Sequence, residues 1–333
     1  MKKMFALYAV MLSCAMVFAG CVAPSAEFDE FLDIEYKHIA DVNSSLLSLD
    51  VYVPNASAGF VKFSEKLGIN GSVAEDKKFF SSFDGDELLP VMVWVHGGGW
   101  RTGDKAHKLD DKIDLFMQAG WILVSVNYRL SPEDIPLDES EFDPNRIMYP
   151  IHNQDVASAV LWVVQNIGEY GGCSENISLM GHSAGAAIVA AVGTNESFLQ
   201  NVGLDLDVLS SVVCLDTAGY NVTHQILNTS LLVELLYKNA FGLDPEVWFD
   251  ASPINHVESG KNIPKFFVVT RGSEDRVAVN ENFVSALEGI GVESVLVYAM
   301  NYTHAQVNEA IGKPGEQVIT PRLIEFLGFE NNL

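Results

Sequence analysis

Cysteine is scarce in this chain, with 4 among 333 residues and no Cys-x-x-Cys spacing of the kind used by metal or redox sites. Cys14 and Cys21 lie near the N-terminus, which leaves Cys173 and Cys214 as a possible disulfide. The predicted strands place these two at opposite ends of parallel neighbours, too far apart to bridge. The sequence therefore does not predict a disulfide-stabilised fold.

Basic residues are also few. There are 20 Lys and Arg against 44 Asp and Glu, which gives a formal net charge of -24 at pH 7. The acids are spread along the chain rather than gathered in a tail, so they predict a well-solvated acidic surface. Such a surface repels phosphate backbones, which excludes nucleic acid as an expected partner.

The spacings that hold metals or phosphates are missing as well. The eight histidines are scattered, no His-x-x-x-His occurs, and no Gly-rich loop is followed by the lysine of a phosphate-binding loop. We therefore expect chemistry that uses no metal and no cofactor.

The first 20 residues differ in kind from the rest. Lys2 and Lys3 precede an apolar stretch, residues 4–19, which is short for a membrane span and typical of a signal-peptide core. The following Phe-Ala-Gly-Cys resembles a lipobox, so we expect a lipoprotein-type signal peptide with Cys21 as the lipidated residue. Ordinary secretory cleavage and an uncleaved anchor are the alternatives. All three predict an extracytoplasmic protein that is secreted or membrane-anchored.

After a tether at residues 21–33, residues 34–333 predict a single α/β domain. Alternating patterns at 34–40 and 46–53 predict an antiparallel edge hairpin. Further on, apolar strands alternate with helices, which predicts a mostly parallel central sheet with helices on both faces. We also expect an insertion at 54–89, of open role, and a small cap at 216–263. The predicted strands of the sheet are 91–95, 121–127, 177–180, 208–215, 265–270 and 294–298.

The most informative motif is Gly181-His182-Ser183-Ala184-Gly185. It follows an apolar strand and precedes the helix-competent run 186–192, which is the context of a nucleophile elbow. Small residues around the serine relieve crowding on this sharp turn, and the helix N-terminus directs N–H groups toward developing negative charge. We predict that Ser183 is a catalytic nucleophile.

A second motif, His96-Gly97-Gly98-Gly99-Trp100, follows the strand at 91–95. Glycines let the main chain approach a reacting group closely, as an oxyanion hole requires. We predict that the N–H groups of Gly97, Gly98 and Ala184 form this hole. His96 is interpreted as structural, while Trp100 and His182 are predicted to line the substrate pocket.

A serine hydroxyl needs a base, and the base needs an orienting acid. His304 follows the last predicted strand, whereas His224 and His256 lie in the predicted cap, so we predict His304 as the base. The acid is predicted to be Asp275, which follows the strand ending at residue 270. Asp216, at the end of the preceding strand, is the alternative.

These motifs, with residues 126–132 and 251–254, resemble those of α/β-hydrolases of the esterase/lipase superfamily. The resemblance spans residues 45–330 and is greatest to the branch of arylformamidases, BD-FAE-type esterases and hormone-sensitive-lipase-like esterases. It implies an α/β-hydrolase fold, structural roles for Asp104, Arg129 and Asp155, and a serine carboxylesterase that cleaves short-chain esters through an acyl-serine. An arylformamidase-like amidase and a catalytically inactive surface binding protein are the alternatives. The expected partner is a small ester substrate, and the oligomeric state stays open.

Overall fold

The computed structural model describes residues 27–55 and 88–329. The predicted signal peptide with Cys21, residues 21–26 of the tether and residues 56–87 of the predicted insertion lie outside the described residues.

An eight-stranded sheet forms the centre of the described structure, with the strand order β1-β2-β4-β3-β5-β6-β7-β8. The pairs β1·β2 and β2·β4 are antiparallel, and the remaining neighbours are parallel. All six strands predicted from residue 91 onward lie in this sheet. The strands are β1 (Phe28–Glu35), β2 (Ser48–Pro54), β3 (Leu89–Val95), β4 (Ile122–Val126), β5 (Gly172–His182), β6 (Leu209–Leu215), β7 (Lys265–Thr270) and β8 (Ser294–Tyr298).

The central strands are buried on both faces, which explains their continuous apolar sequences. On β3, Val91, Val93 and Val95 belong to one hydrophobic cluster, while Met92 and Trp94 belong to a second cluster on the opposite face. Alternate residues of a strand point to opposite faces, so a strand covered on both sides carries apolar residues throughout. The sheet therefore separates two cores.

The predicted edge hairpin is wrong in its first strand. Residues 28–35, rather than 34–40, pair with β2, so part of the predicted tether is strand. The side chains of β1 are mostly exposed and acidic, and they have the composition of a solvated tether. The strand forms because main-chain pairing at a sheet edge does not depend on apolar side chains, and because Phe28 packs on Tyr52 and Phe31 on Tyr170.

Helices cover both faces of the sheet. Side chains of α2, α3 and α8 enter one core, and those of α1, α9 and α10 enter the other. None of the helices in the described part of the chain is long and apolar enough to span a membrane. The helices are α1 (Asp110–Ala119), α2 (Ile151–Asn166), α3 (Ala184–Thr194), α4 (Ser197–Gln200), α5 (Val222–Leu227), α6 (Leu231–Phe241), α7 (Pro245–Asp250), α8 (Glu274–Gly289), α9 (His304–Ala310) and α10 (Thr320–Leu327).

The parallel strands end at one edge of the sheet, where open α/β sheets place their ligands. Ser183 follows β5, Asp216 follows β6, and the loop that starts at His96 follows β3. Between β6 and β7, residues 216–263 carry α5, α6 and α7. We call these residues the cap segment.

One buried lysine joins two helices near this edge. Lys112 on α1 is 1 % exposed, and its Nζ donates to the carbonyl oxygens of Asn308 at 2.8 Å and Lys108 at 3.2 Å. The ammonium also lies 4.8 Å from the centroid of the Trp94 ring. Burial lowers the pKa of Lys112 to about 7, because a charged ammonium loses hydration inside the core.

We expect Lys112 to make the free energy of unfolding depend on pH in the alkaline range. Unfolded lysine keeps its proton up to about pH 10.4, so between pH 7 and 10 the unfolded chain binds more protons and the free energy of unfolding rises with pH. Urea unfolding at several pH values should show the wild type gaining stability relative to Lys112→Met across this window. The exposed Lys313→Met is the control, and a constant difference between wild type and Lys112→Met would contradict the prediction.

Candidate active site

Ser183 sits on a strained turn between β5 and α3. Its backbone has φ 57° and ψ -117°, outside the usual regions for a residue with a side chain, and its N–H donates to the carbonyl of Leu215 at 2.9 Å. Such strain persists when the surroundings hold it, and it commonly marks functional sites. The turn presents the serine hydroxyl at the carboxyl edge of the sheet.

The glycines of the motif are required by packing. A Cβ on Gly185 would lie 2.2 Å from the carbonyl oxygen of Val95, and one on Gly181 would lie 2.4 Å from the backbone of Gly185. Both contacts are far inside van der Waals distance. The turn can therefore press against the end of β3 only with glycine at these two positions.

Ser183 and His304 are in direct contact. The Ser183 hydroxyl lies 2.8 Å from Nε2 of His304, and Nδ1 of the same ring lies 2.5 Å from Oδ2 of Asp216. An ionised carboxylate only accepts, so Nδ1 carries the proton and Nε2 is free to accept from the serine. This order of groups lets the imidazole remove the hydroxyl proton while the carboxylate stabilises the resulting positive charge.

Two features fix His304. It is the first residue of α9, where Thr303 and Gln306 form a capping box that defines how the helix begins. In addition, Nε2 of His182 donates to the backbone carbonyl of His304 at 3.0 Å, and the two rings lie 4.5 Å apart. Burial, followed by the neighbouring His304, lowers the pKa of His182 to about 3, so this side chain stays neutral.

Asp216 is fully buried and holds three partners. Besides His304, its carboxylate accepts from Nε of Arg271 and from Nε of Arg276, which lies at 2.8 Å. Burial alone would raise the pKa of Asp216, but the hydrogen bond from His304 and the charges of the two arginines lower it to about 2. The carboxylate is therefore ionised throughout the neutral range.

The structure contradicts the prediction that Asp275 contacts His304. Asp275 lies in the first turn of α8, its side chain is 56 % exposed, and it accepts from Nε2 of His224 at 3.0 Å. Helix α8 starts at Glu274, immediately after its N-cap Ser273, so the chain is already helical at Asp275 and carries its side chain outward. Asp216, the alternative, occupies the position beside His304.

Sequence reasoning missed Arg271 and Arg276, which neutralise the buried acid. They flank Asp275 in the sequence, at distances of four residues and one residue. Asp216 itself gave a signal, since it directly follows a buried strand as Ser183 does.

The loop after β3 lies against the serine. A Cβ on Gly97 would lie 3.1 Å from Cβ of Ser183, and Gly98 has φ +120°, with its Cβ position 2.0 Å from the carbonyl oxygen of Thr102. In the described part of the chain, the N–H groups of Gly97, Gly98 and Ala184 make no hydrogen bond to protein atoms. Three unpaired donors next to a serine hydroxyl are suited to an anionic oxygen.

His96 holds this loop rather than contacting Ser183. Its ring stacks on Tyr128 with centroids 4.5 Å apart, and its Nδ1 lies 2.7 Å from the carbonyl oxygen of Gly97. The Tyr128 hydroxyl in turn donates to the His96 carbonyl at 3.0 Å. Burial lowers the pKa of His96, which keeps it uncharged.

Of the two predicted pocket residues, Trp100 borders a small cavity and His182 contacts the main chain of His304. Trp100 is 3 % exposed and packs edge-on against Phe241 of α6, and both residues line a small cavity with Asn153, Ala187 and Ala251. His182 is 8 % exposed and bonds to the main chain of His304, as described above. The pocket roles of Trp100 and His182 stay predictions.

The resemblance implies structural roles for Asp104, Arg129 and Asp155, and these side chains bond to residues other than Ser183. Arg129 forms a bidentate pair with the buried Asp155, with both N···O distances at 2.7 Å. Asp104 accepts from the backbone of Ala106 and from the amide of Asn127. Within residues 27–55 and 88–329, no group of three or more His, Cys, Asp or Glu side chains is placed to hold a metal ion.

The chain matches the model of one protein family and is similar to several curated esterases. The model of the BD-FAE family matches residues 81–286, which is more than half of the chain. Esterase LipQ of Mycobacterium tuberculosis is 28 % identical over 249 residues, covering 72 % of this chain and 55 % of that protein. The probable carboxylic ester hydrolase LipM of the same organism is 28 % identical over 224 residues, covering 64 % and 48 %. The chain thus spans about half the length of these curated relatives.

Solved structures agree in fold. The truncated form of a carbohydrate esterase from gut microbiota superimposes with a TM-score of 0.62 at 14 % identity, covering 92 % of this chain and 97 % of that one. Esterase B of Lactobacillus rhamnosis, inhibited by a tributyrin phosphonate, gives a TM-score of 0.62 at 15 % identity, covering 90 % and 85 %. Together with the strand order, these likenesses show the α/β-hydrolase fold.

We expect Asp216, not Asp275, to control the reactivity of Ser183. Asp216→Asn should slow labelling of Ser183 by a fluorophosphonate by about 10³ to 10⁴, because an amide no longer fixes the reactive tautomer of His304. Asp275→Asn should label within about twofold of the wild type, because Asp275 contacts His224 instead. The melting temperature of each variant controls for folding, and a larger loss in Asp275→Asn would reverse the assignment.

Proposed function

Because the chain belongs to the BD-FAE family, we propose that it is a serine hydrolase that cleaves short-chain carboxylic esters through an acyl-serine intermediate. The observation that carries the proposal is the hydrogen-bonded series Ser183–His304–Asp216 beside three backbone N–H groups that have no partner among the described residues. Relatives named as esterases support the same reaction class.

In the acylation step, the Ser183 oxygen attacks the ester carbonyl carbon while Nε2 of His304 takes the hydroxyl proton. The carbonyl oxygen becomes an anion and accepts from the N–H groups of Gly97, Gly98 and Ala184. Asp216 stabilises the imidazolium through Nδ1. The carbon–oxygen bond of the ester then breaks, and the imidazolium returns its proton to the departing alkoxide, which leaves as the alcohol.

Deacylation repeats these roles with water. Nε2 of His304 takes a proton from a water molecule as its oxygen attacks the acyl carbon, and the same N–H groups hold the second oxyanion. Collapse breaks the bond to the Ser183 oxygen, which regains a proton from the imidazolium. The products are one alcohol and one carboxylic acid, and the enzyme returns to its initial state.

The carboxylate of Asp216 is paired with both Arg271 and Arg276, so these three side chains together carry one net positive charge. The negative carboxylate itself faces His304, where it accepts from Nδ1, fixes the ring and stabilises the imidazolium. The two guanidinium groups keep the carboxylate ionised and immobile, which favours a preorganised site.

We expect short acyl groups, as the resemblance to short-chain esterases implies. The cavity beside Trp100 is small and walled by buried residues, including Phe241 and Ala187. The acidic surface also favours uncharged substrates over anionic ones.

We expect Ser183→Ala to abolish ester hydrolysis. Loss of the nucleophile should lower kcat by about 10⁴ to 10⁶, measured with 4-nitrophenyl esters of increasing acyl length. The wild type should be fastest on the acetate or propionate ester. Retained hydrolysis in the variant would overturn the mechanism, and faster turnover of N-formylkynurenine than of any ester would identify an amidase instead.

We further propose that the mature protein lies outside the cytoplasm and is anchored by lipid at Cys21. The support comes from the sequence: Lys2 and Lys3, the apolar stretch 4–19 and the lipobox-like residues 18–21. Stable membrane attachment through acyl chains usually needs two anchoring signals.

The anchor is tested by replacing its cysteine. In a bacterial host that processes lipoproteins, the wild type should incorporate labelled palmitate and sediment with membranes, whereas Cys21→Ser should incorporate none. Cys14→Ser is the matched control, because Cys14 lies in the segment expected to be removed. Palmitate incorporation that survives in Cys21→Ser would refute lipidation at this residue.

A further inference from the structure

Tyr237, on helix α6 of the cap segment, is a buried residue whose hydroxyl has no hydrogen-bond partner among the described residues. The residue is 6 % exposed, and within residues 27–55 and 88–329 its hydroxyl makes no hydrogen bond. The hydroxyl of Tyr220, by contrast, is sealed inside the core. The Tyr237 hydroxyl is not sealed in this way, so it remains open to a small molecule or water.

The hydroxyl lies between the elements that carry the triad. It is 3.6 Å from the position that a Cβ on Gly219 would occupy, and the same position is 2.5 Å from Cβ of Ala187 and 3.2 Å from Oγ1 of Thr217. Ala187 is one helical turn after Ser183 on α3, and its N–H donates to the Ser183 carbonyl at 3.1 Å. Thr217 directly follows Asp216. The Tyr237 hydroxyl therefore lies close to the segments that carry Ser183 and Asp216.

The ring of Tyr237 packs against the loop after β3, which carries Gly97 and Gly98 and is called the oxyanion loop. It packs edge-on against Trp100, with centroids 5.1 Å apart, and it stacks on Phe241 at 5.7 Å. The preceding residue, Leu236, lies 3.1 Å from where a Cβ on Gly99 would stand. Helix α6 thus rests on the loop that contains Gly97 and Gly98, and the direction of the phenol is fixed by packing.

The chemistry of the group is that of a neutral donor. Burial raises the pKa of Tyr237 to about 12, so the phenol keeps its proton at neutral pH. In the free enzyme the Tyr237 hydroxyl stays open to water, and a substrate that covers it displaces that water. Covering the hydroxyl costs free energy unless the substrate offers an acceptor in place of the water, and a substrate oxygen at this point is such an acceptor.

We propose that Tyr237 is a specificity-determining residue whose hydroxyl donates a hydrogen bond to an oxygen that the substrate carries beside its scissile ester. The preferred substrates are then alkoxy- or hydroxy-substituted esters rather than plain alkyl esters of the same size. The inference rests on the proposed ester hydrolysis. A site built to pair with a substrate oxygen discriminates against the hydrocarbon analogue, because the analogue displaces water from the donor and offers it no acceptor.

Two matched substrate pairs test this in the full-length protein. On the acyl side, 4-nitrophenyl methoxyacetate is compared with 4-nitrophenyl butanoate, and on the alcohol side, 2-methoxyethyl acetate is compared with butyl acetate. Each pair exchanges an ether oxygen for a methylene at nearly constant size. The measured quantity is the ratio of kcat/KM within a pair, in wild type and in Tyr237→Phe, so that differences in intrinsic reactivity cancel.

In Tyr237→Phe, the ratio should fall roughly three- to tenfold on one pair, as expected for the loss of one neutral hydrogen bond. The pair that responds shows whether the oxygen belongs to the acyl or the alcohol part. Phenylalanine keeps the ring and its packing, and Tyr220→Phe, which removes a hydroxyl sealed inside the core, should leave both ratios unchanged.

The outcomes separate this inference from the proposed function. A wild type that hydrolyses these esters, with both ratios unaltered in Tyr237→Phe, overturns the role of Tyr237 alone and indicates a water-filled position. A wild type inactive on all four esters overturns both. A fall of the same size in Tyr220→Phe would also overturn the assignment, because it would show a general effect of core hydroxyls.

Discussion

The arrangement of the site depends on one buried charge, the carboxylate of Asp216. It is fully inaccessible to solvent, and an unpaired ion in such a place would be strongly unfavourable. His304 reaches it from the segment after β8, Arg271 from the end of β7 and Arg276 from α8. Satisfying this charge therefore brings three segments to one point, and the position of the histidine ring follows from it.

A second constraint acts from the other side of the serine. The nucleophile turn and the loop after β3 are in contact closer than any side chain would permit, so glycine at positions 97, 181 and 185 is a condition of the geometry. Behind the loop, the His96 ring stacks on Tyr128 and fixes the backbone. The unpaired N–H groups are consequently rigid, which is what stabilisation of a developing anion requires.

Apart from Asp216, its first residue, the cap segment contributes shape and polarity rather than reacting groups. Its helix α6 lies on the oxyanion loop through Leu236 and Tyr237, and its helix α5 is joined to α8 by the pair His224–Asp275. Asp275 thus occupies the sequence position expected of a catalytic acid while contacting the cap. An acid that follows a strand of this sheet can contact either His304 or the cap segment. For Asp275 the start of helix α8 at Glu274 decides in favour of the cap segment.

Much of the architecture was predictable because it depends on local pattern. The continuous apolar runs identified the six strands from residue 91 onward, and the small residues around Ser183 identified the turn, since few other sequences fit so tight a bend. The edge strand β1 was misplaced because its acidic, exposed side chains give no apolar signal. Main-chain pairing to β2 alone decides that it is a strand.

By itself, then, the sequence determined the alternating α/β order, the nucleophile turn, the glycine loop and His304, because each follows from residue size and periodicity within a short segment. Tertiary structure decided the partner of His304, the position of His182 and the open hydroxyl of Tyr237. These depend on the direction in which side chains leave elements far apart in sequence. Asp216 and Asp275 both follow strands, and the start of α8 at Glu274 turns Asp275 outward and leaves the buried position beside His304 to Asp216.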